Sequence, residues 1–401
     1  MDHQTLAGRS EAVMLNTYGG RYGLSIGRAT GARLYDLGGR GYMDLLAGIA
    51  VANLGHSHPE LLAVMQNQAE ELIHVSNLFY QIPQVELAEK LVATCELDKV
   101  FFCNSGAEAN EAAIKLARRY MREVVGKDAF EIITLSGSFH GRTLATLTAT
   151  GQEGKIKDGF QPLPEGFITV PFGDIKAMEA AVNPHTTAIL IEVVQGEGGV
   201  RPLSAEYADA IQRLCQENGV LLIIDEVQTG LCRTGKFWAH QHYGLTPDIM
   251  TSAKALANGL PMGAMLAKNK VASGFEPGTH ATTFGGGGML SAVACSVVKI
   301  MQRDDLANRA MQLGQFAITK ARELQEKHLG KIKEVRGLGL MIGIELTFPG
   351  NEVWRVLLDA GFILNLTQGS VLRLLPPLII TEEELAEFFA ALDHILSSTN
   401  I

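Results

Sequence analysis

The sequence predicts an α/β protein built on a mostly parallel sheet, and three observations support this class. Apolar residues make up 47% of the 401-residue chain and charged residues 19%, which is enough to bury a large core. From about residue 59 to 290, short strand-like runs alternate with helix-length segments. The runs are apolar on both faces, as in a parallel sheet covered by helices on each side. The predicted strands are 99–103, 131–135, 188–193, 220–224 and 248–251.

The two ends of the chain have a different pattern, which predicts a smaller α+β domain. Residues 33–37 and 41–45 flank two glycines and predict a hairpin. Beyond residue 300, the pattern predicts a helix near 304–328, strand character over 332–346, a helix near 351–360, a strand near 371–374 and a helix from residue 382. We therefore predict a large domain over 59–290 and a small domain formed by 1–58 and 291–401.

Charge and cysteine content restrict the class of function. Thirty-four basic and 43 acidic residues give a net charge of −9 with no basic run, so neither nucleic acid nor an anionic membrane is an expected partner. Five scattered cysteines without a Cys-x-x-Cys pair predict free thiols in a reducing compartment. The start of the chain lacks the apolar core of a signal peptide, and residues 249–267 are expected to form buried loop and strand. We expect a soluble cytoplasmic protein.

A candidate phosphate site follows the predicted strand 99–103. Residues 104–111, Asn-Ser-Gly-Ala-Glu-Ala-Asn-Glu, open a helix in which Ser105 and Glu108 have the spacing of a capping box. The free N–H groups and the positive dipole end of a first helical turn can bind a phosphate. An ordinary capped helix explains the same residues, so the motif alone leaves both interpretations open.

Asp225 directly follows the predicted strand 220–224, and Gln228 lies three residues further on. In open α/β sheets, ligands bind beyond the carboxyl ends of the strands. A carboxylate there can hold a metal, a ribose or a protonated ring nitrogen, although a helix-capping or ion-paired aspartate is an alternative.

Lys254 is the only charged residue within 249–267. Burying an unpaired ammonium is costly, so such a lysine tends to lose its proton. The resulting amine is a nucleophile that can form a Schiff base. The alternative is a lysine whose amino group reaches solvent.

Phe139 and Arg142 follow the predicted strand 131–135. The aromatic ring can stack on a flat ligand, and the guanidinium can bind a carboxylate through two parallel hydrogen bonds. His140, between them, is expected to be a hydrogen-bonded core histidine.

Two further patterns carry little weight. His56 and His58 form a His-x-His pair without a third ligand, so no metal site is predicted. Residues 337–343 contain three glycines but are one residue too long for a dinucleotide fingerprint, so a nicotinamide dehydrogenase is only a weak alternative.

These segments together match one cofactor. They supply a phosphate seat, a stacking aromatic, a carboxylate, an isolated lysine and a carboxylate-binding arginine. Pyridoxal 5′-phosphate has a phosphate, a flat ring whose nitrogen takes an acidic partner, and an aldehyde that reacts with lysine. The sequence therefore predicts a pyridoxal-phosphate enzyme.

The chain closely resembles the acetylornithine aminotransferase group of class III pyridoxal-phosphate aminotransferases. The resemblance runs from about residue 15 to 392 and is strongest at 16–18, 47–60, 76–91, 102–118, 139–143, 225–230 and 372–378. It implies a fold-type-I architecture with a mostly parallel seven-stranded sheet in the large domain. It also implies a homodimer with its active sites at the subunit interface.

The resemblance implies roles for the cofactor-binding residues. Ser105, Gly106 and Ala107 would seat the phosphate, and Phe139 would stack on the ring. Thr283 would reach the phosphate of the cofactor in the neighbouring subunit.

The same resemblance assigns the reactive groups. Asp225 would pair with the ring nitrogen, Gln228 would bond the ring hydroxyl, and Lys254 would bind the cofactor aldehyde and act as the general base. The expected reaction is a ping-pong transamination.

Substrate recognition is also implied by resemblance. Arg142 would hold the α-carboxylate of an ω-amino donor and the distal carboxylate of glutamate. Arg373 would hold the α-carboxylate of glutamate, and Glu197 would mask Arg373 while the donor is bound. Tyr18 would lie near the α-amino end of the donor, with Tyr22 as its rival.

Four positions depart from the family pattern. Val193 stands where Glu-Pro is expected before Val-Gln-Gly-Glu, and Cys232 replaces a glycine. Gly287 and Gly288 stand where Asn-Pro usually follows Phe-Gly-Gly, which is expected to loosen the loop that carries Thr283.

The expected activity is that of an acetylornithine:2-oxoglutarate aminotransferase in arginine biosynthesis, giving N-acetylglutamate semialdehyde and glutamate. Close alternatives use N-succinylornithine, succinyl-diaminopimelate, ornithine or 4-aminobutyrate as the donor. An aminomutase, which needs no external keto acid, is the alternative of another reaction class.

Overall fold

A seven-stranded sheet forms the centre of the larger part of the molecule. The structure, a computed structural model, describes residues 1–18 and 21–398. Six strands run in one direction, and Gly263–Ala267 is antiparallel to both of its neighbours. In their order across the sheet, the strands are Lys99–Cys103, Gly263–Ala267, Ile249–Ser252, Leu221–Asp225, Thr186–Ile191, Glu131–Leu135 and Phe167–Val170.

The predicted α/β class and mostly parallel sheet are confirmed. Predicted strands 99–103 and 131–135 have the observed bounds, and the other three differ from the structure by one or two residues. The sequence prediction missed Phe167–Val170, at the edge of the sheet, and Gly263–Ala267. The latter has the sequence Gly-Ala-Met-Leu-Ala, whose small and unbranched residues have little preference for a strand.

Helices cover both faces of this sheet. Along Leu221–Asp225, Ile223 belongs to the apolar cluster that contains Ala113, whereas Leu222 and Ile224 belong to the cluster that contains Tyr207. This alternation explains why the strand is apolar throughout. The α-helices are His3–Val13, Pro59–Glu71, Ile82–Val92, Gly106–Arg119, Leu144–Ala149, Ile175–Ala181, Ala205–Asn218, Asn269–Ala272, Gly288–Arg303, Leu306–Lys327, Asn351–Asp359 and Glu382–Ser398, and the short helical turns are Ala47–Ala50, Tyr120–Val125, Ala239–His242 and Lys254–Ala257.

One of the smaller sheets joins the two ends of the chain. The predicted hairpin is the antiparallel pair Arg33–Asp36 and Gly41–Asp44, and Phe362–Ile363 pairs in parallel with the second of these strands. The remaining strands are Ile26–Thr30 in that sheet, Ile332–Leu338, Met341–Leu346, Val371–Leu374 and Asn365–Thr367 in a second four-stranded sheet, and the short pair Val194–Gln195 and Arg201–Pro202. The domain bounds stay a prediction, and the helix Gly288–Arg303 continues across the predicted division at 290.

Residues 337–343 lie in the antiparallel hairpin of Ile332–Leu338 and Met341–Leu346. A dinucleotide fingerprint requires a strand that leads into a helix, so this glycine pattern does not support a nicotinamide site. Across residues 1–18 and 21–398, we find no helix with the length and apolar character needed to cross a membrane.

Candidate active site

A cavity of about 470 Å³ opens at the carboxyl edge of the central sheet. Segments that follow five parallel strands meet there, as expected for ligand sites in this type of sheet. The residues that line it are Val51, Asn104, Ser105, Gly106, Ala107, Asn110, Phe139, His140, Gly141, Arg142, Glu192, Glu197, Asp225, Val227, Gln228, Ala253, Lys254, Gly259, Leu260, Pro261 and Met262.

Asp225 is the last residue of its strand and is buried beneath this cavity. Its Oδ2 accepts a hydrogen bond from Nδ2 of Asn110 at 2.8 Å and lies 2.9 Å from Nδ1 of His140. Its Oδ1 accepts the backbone N–H of Val227 at 3.0 Å. These contacts fix the orientation of a carboxylate that can pair with a protonated ring nitrogen.

Asn110 was missed by the sequence prediction. It lies on the buried face of the helix Gly106–Arg119, and its Nδ2 also donates to the backbone oxygen of His140 at 2.8 Å. Its Oδ1 accepts the hydroxyl of Thr251 at 2.7 Å. The signal that could have revealed it is an amide on the otherwise apolar face of this helix.

Lys254 begins a short helical turn after the strand Ile249–Ser252 and lines the cavity. Burial lowers the pKa of its amino group to about 8, although the negative charge of Glu197 opposes this shift. A lysine with a lowered pKa is available as an uncharged nucleophile. Its φ of +45° is rare for a residue with a side chain, and such backbone strain is concentrated at functional sites.

The predicted phosphate seat lies at the start of Gly106–Arg119. The hydroxyl of Ser105 accepts the backbone N–H of Glu108 at 3.2 Å, which is one half of the predicted capping box. The carboxylate of Glu108 accepts the N–H of Asn104 instead of that of Ser105, so the second half of the box is not formed. A Cβ atom added to Gly106 would lie 2.8 Å from Val227, so glycine is required for this close packing.

Glu192 is a second residue that the sequence prediction missed. Its Oε2 accepts the backbone N–H of Phe139 at 3.0 Å, and its Oε1 accepts that of Gly196 at 3.4 Å. Burial raises the pKa of its carboxyl to about 7. Glu192 therefore connects the segment of the stacking aromatic with the segment that leads to Glu197.

Gln228 packs closely against Gly196. A Cβ atom on Gly196 would lie only 1.8 Å from Oε1 of Gln228, so a larger residue there would force the amide of Gln228 to move. Gln228 lines the cavity. Its Oε1 atom is buried and has no hydrogen-bond partner among the described residues. An unpaired buried amide oxygen fits a ligand that brings a hydroxyl donor, as the ring hydroxyl of pyridoxal phosphate does.

Two arginines differ in their access to the cavity. Arg373, on the strand Val371–Leu374, is buried, and its Nη1 donates to Oε1 of Glu197 at 2.6 Å. Burial acts to raise the pKa of Glu197, but the positive charges of Arg373, Lys254 and Arg142 together hold this pKa below its usual value. Arg142 is exposed and lines the cavity, with its guanidinium carbon 5.4 Å from the ring centre of Phe139.

Two predicted site residues lie away from this cavity. Thr283 is exposed in the loop before the helix Gly288–Arg303, and Tyr18 is 78% exposed. The two glycines after Tyr18 lie outside the described residues. Tyr22 packs edge-to-face on Trp354, with ring centres 4.9 Å apart, and burial raises its pKa while the side chain of Asn365 and the charge of Arg373 oppose the increase. The roles of Tyr18 and Thr283 therefore stay predictions, and Tyr22 is the more closely packed of the two tyrosines.

Two of the departures from the family pattern are buried residues. Cys232 is buried and has a φ of +69°, which explains why glycine suits this position. Val193 is fully buried in the apolar cluster that also contains Tyr207.

A lysine, a carboxylate and a helix N-terminus at the carboxyl edge of a mostly parallel sheet are groups that pyridoxal phosphate requires. The family model described as aminotransferase class-III matches residues 17–396. The chain belongs to this family and is a pyridoxal-phosphate-dependent aminotransferase.

Relatives and solved structures agree with this assignment. The chain is 47% identical to an acetylornithine aminotransferase of Methanocaldococcus jannaschii, over 94% of each chain. It is 46% identical to one of Myxococcus xanthus, over 90% of each. The crystal structure of an ornithine aminotransferase from Toxoplasma gondii matches with a TM-score of 0.95 at 31% identity, covering 99% of this chain and 96% of that one. An acetylornithine aminotransferase structure from Elizabethkingia anophelis matches with a TM-score of 0.88 at 31% identity, covering all of both chains.

Proposed function

We propose that this chain is an acetylornithine:2-oxoglutarate aminotransferase of arginine biosynthesis that acts in the cytoplasm. The observation that carries the proposal is the ion pair between Glu197 and Arg373 beside a cavity that Arg142 also lines. The relatives named above, which are called acetylornithine aminotransferases, support the choice of donor. Five free cysteines support a reducing compartment.

The ion pair addresses the need to bind two substrates in one cavity. An ω-amino donor presents one α-carboxylate beyond its reacting amine, so a single arginine, Arg142, suffices. Glutamate and 2-oxoglutarate present two carboxylates and require Arg373 as well. When Glu197 pairs with Arg373 the unused positive charge is neutralised, and when Glu197 moves away the second arginine is free for a bidentate contact.

Lys254, Asp225 and Phe139 have separate roles in the proposed reaction. Bound pyridoxal phosphate supplies an aldehyde and an electron-withdrawing ring. Nζ of Lys254 would hold this aldehyde and, when free, would serve as the general base for the proton on the carbon that bears the donor amine. Asp225, held by Asn110 and His140, places a negative charge where the ring nitrogen binds. Phe139, which lines the cavity, would stack on one face of the ring.

The proposal includes a homodimer. Asn77 donates to the backbone oxygens of Thr282 and Gly285 at 3.3 and 2.9 Å, which ties two exposed segments together. Large apolar side chains on these segments are exposed, and such a surface favours contact with a second copy. They are Leu78, Phe79, Tyr80, Ile82 and Phe284. Thr283 lies within this surface, so a partner would bring it to the neighbouring cavity.

Two measurements test the proposal. The visible spectrum of the purified protein tests for the cofactor, and a panel of amino donors assayed with 2-oxoglutarate identifies the preferred donor. We expect a visible band from bound cofactor and the highest kcat/KM with N-acetylornithine. N-Succinylornithine, succinyl-diaminopimelate and 4-aminobutyrate are the rival donors. A higher kcat/KM with ornithine, which the Toxoplasma gondii structure makes the first rival, would contradict the proposed donor. Product without any keto acid would indicate an aminomutase, and a protein that stays colourless with added pyridoxal phosphate would contradict the cofactor site.

A further inference from the structure

The turn that carries Lys254 ends at a side chain that binds a distant loop. Asn258 has left-handed backbone angles, φ +46° and ψ +46°. Its Oδ1 accepts the backbone N–H of Leu54 at 2.8 Å, and its Nδ2 donates to the backbone oxygen of Gly55 at 3.0 Å. Because one partner is a donor and the other an acceptor, the orientation of the amide is fixed by these two contacts.

The loop 53–55 is itself held firmly. The side chain of Asn53 is buried, donates to the backbone oxygen of Leu231 at 3.0 Å and accepts a hydrogen bond from Arg233. The backbone oxygen of Asn53 accepts the N–H of Leu378 at 2.7 Å. The loop is therefore a rigid support that also contacts the segment following Gln228.

Apolar packing and backbone hydrogen bonds hold the middle of the turn. Ala255, Leu256 and Ala257 are buried in the main apolar core and have no polar side-chain groups, so within 255–258 the side-chain hydrogen bonds come from Asn258. Both ends of the turn, at Lys254 and Asn258, have positive φ, a conformation that is strained for lysine and that asparagine tolerates better than most residues with a side chain. Such a conformation persists only where surrounding contacts hold it.

We propose that Asn258 is a positioning residue that clamps the Lys254 turn to the loop 53–55 and thereby orients Nζ of Lys254 in the cavity. The role rests on the proposed function of Lys254. It links the N-terminal segment of the chain to the reactive amine, although Asn258 and Leu54 are 204 positions apart in sequence.

The test compares three variants of the intact holoenzyme. Asn258→Gly removes the amide but keeps a residue that adopts positive φ without strain, so it separates the clamp from the backbone conformation. Asn258→Ala loses both. Asp305→Gly is the matched control, because Asp305 also has left-handed angles, φ +46° and ψ +48°, but its side chain makes no capping hydrogen bond. The readouts are kcat, KM, thermal unfolding, and the pH midpoint of the visible band of the bound cofactor.

We expect Asn258→Gly to fold, to lower kcat about tenfold with little change in the KM for the keto acid, and to shift the pH midpoint of the band. Asn258→Ala should lose more, and Asp305→Gly should match the wild type. A wild-type kcat and pH midpoint in Asn258→Gly would overturn the proposal, even if its unfolding temperature fell. A wild-type protein with neither band nor turnover would instead overturn the proposed function, and this role with it.

Discussion

Two regions of the molecule hold their predicted site residues very differently. At the carboxyl edge of the central sheet the residues are buried and hydrogen-bonded, whereas in the outer segments, at Tyr18 and Thr283, they are exposed. Asp225 is buried and held by three hydrogen-bonding groups, and Lys254 lies in a turn fixed at its far end by Asn258. Tyr18 and Thr283 are exposed and lie outside the lining of the cavity. The comparison indicates that Asp225 and Lys254 meet in one cavity within a single chain, whereas the predicted role of Thr283 requires a second copy of the chain.

The largest effect is expected at the reactive centre, from Lys254→Ala. Removing the amine should lower turnover by about 10³-fold or more and abolish covalent capture of the cofactor. In the wild type, burial lowers the pKa of Lys254 to about 8, and the uncharged amine is the nucleophile. Capture of pyridoxal phosphate by the cofactor-free protein should therefore speed up as the pH rises through about 8 and slow down below it.

Stopped-flow absorbance measures the rate of capture, and steady-state assays measure turnover. Lys320→Ala is the control, because Lys320 lies on the surface, where it pairs with Glu323. Turnover at the wild-type rate in Lys254→Ala would refute the assignment of the reactive amine. A capture rate that stays constant as the pH crosses the pKa of Lys254 would refute the role of burial.

A smaller and selective effect is expected at the boundary between the two regions, from Glu197→Gln. The substitution weakens the ion pair with Arg373 and leaves a buried arginine without its neutralising charge. We expect kcat/KM for the ω-amino donor to fall about tenfold, while kcat/KM for glutamate falls less. Kinetics of the separate half-reactions measure both values. Glu334→Gln, at an exposed partner of Arg336, is the control, and equal losses in both half-reactions would contradict the masking role.

The structure places both predicted reactive residues in the lining of one cavity, and the physical reason is simple. Asp225 and Lys254 are polar residues beside apolar strands, and the carboxyl ends of parallel strands lie at one edge of a sheet. Glu192 carries the same signal, because it follows Thr186–Ile191, but the predicted strand 188–193 ran through it and concealed it. A shift of two residues in one strand was enough to hide a carboxylate of the site.

Contacts between distant segments could not be read from spacing. The pairing of Asn258 with the loop 53–55 depends on how the N-terminal segment folds back over the sheet, and no local pattern encodes it. Asn110 lies within the helical repeat of apolar residues, so its amide was counted as part of an ordinary helix. The prediction was therefore limited by unknown contacts between distant segments, and not by the chemistry of single residues.

The choice between Tyr22 and Tyr18 sharpens the comparison further. Tyr22→Phe keeps the ring that packs on Trp354 and removes only the hydroxyl, so the fold should be unaffected. Since Tyr22 lies near Arg373 and Glu197, we expect the KM for the donor to rise about threefold, and Tyr18→Phe to change it less. Steady-state kinetics with varied donor and saturating keto acid measure the difference. A larger effect of Tyr18→Phe on the KM for the donor would contradict the choice of Tyr22. It would indicate that Tyr18 contacts the donor, although it is exposed in this chain.

The smallest effect is expected in the loop of Thr283, from Gly288→Pro. Gly287 has φ −55° and ψ +148°, which suits a residue before proline, and Gly288 is the first residue of the helix Gly288–Arg303, where proline is favoured. The free energy of unfolding should rise by about 0.4–1 kcal/mol, because the unfolded chain loses freedom. A Cβ at Gly288 would lie 3.1 Å from Oε1 of Gln81, an atom that has no hydrogen-bond partner within the described part of the chain and can move aside.

Gly287→Pro is the matched control for this substitution. The N–H of Gly287 donates to the backbone oxygen of Phe284 at 3.2 Å, so proline at 287 removes a hydrogen bond that proline at 288 leaves intact. Thermal unfolding and equilibrium titration with pyridoxal phosphate should show a gain for Gly288→Pro and none for Gly287→Pro. If the more rigid loop also strengthens binding of pyridoxal phosphate, the exposed loop of Thr283 contributes to the phosphate site. A gain in stability without a gain in affinity for pyridoxal phosphate would contradict a role for this loop. It would mean that the more rigid loop of Thr283 makes no contact with the phosphate, so that the cofactor site is confined to the carboxyl edge of the sheet.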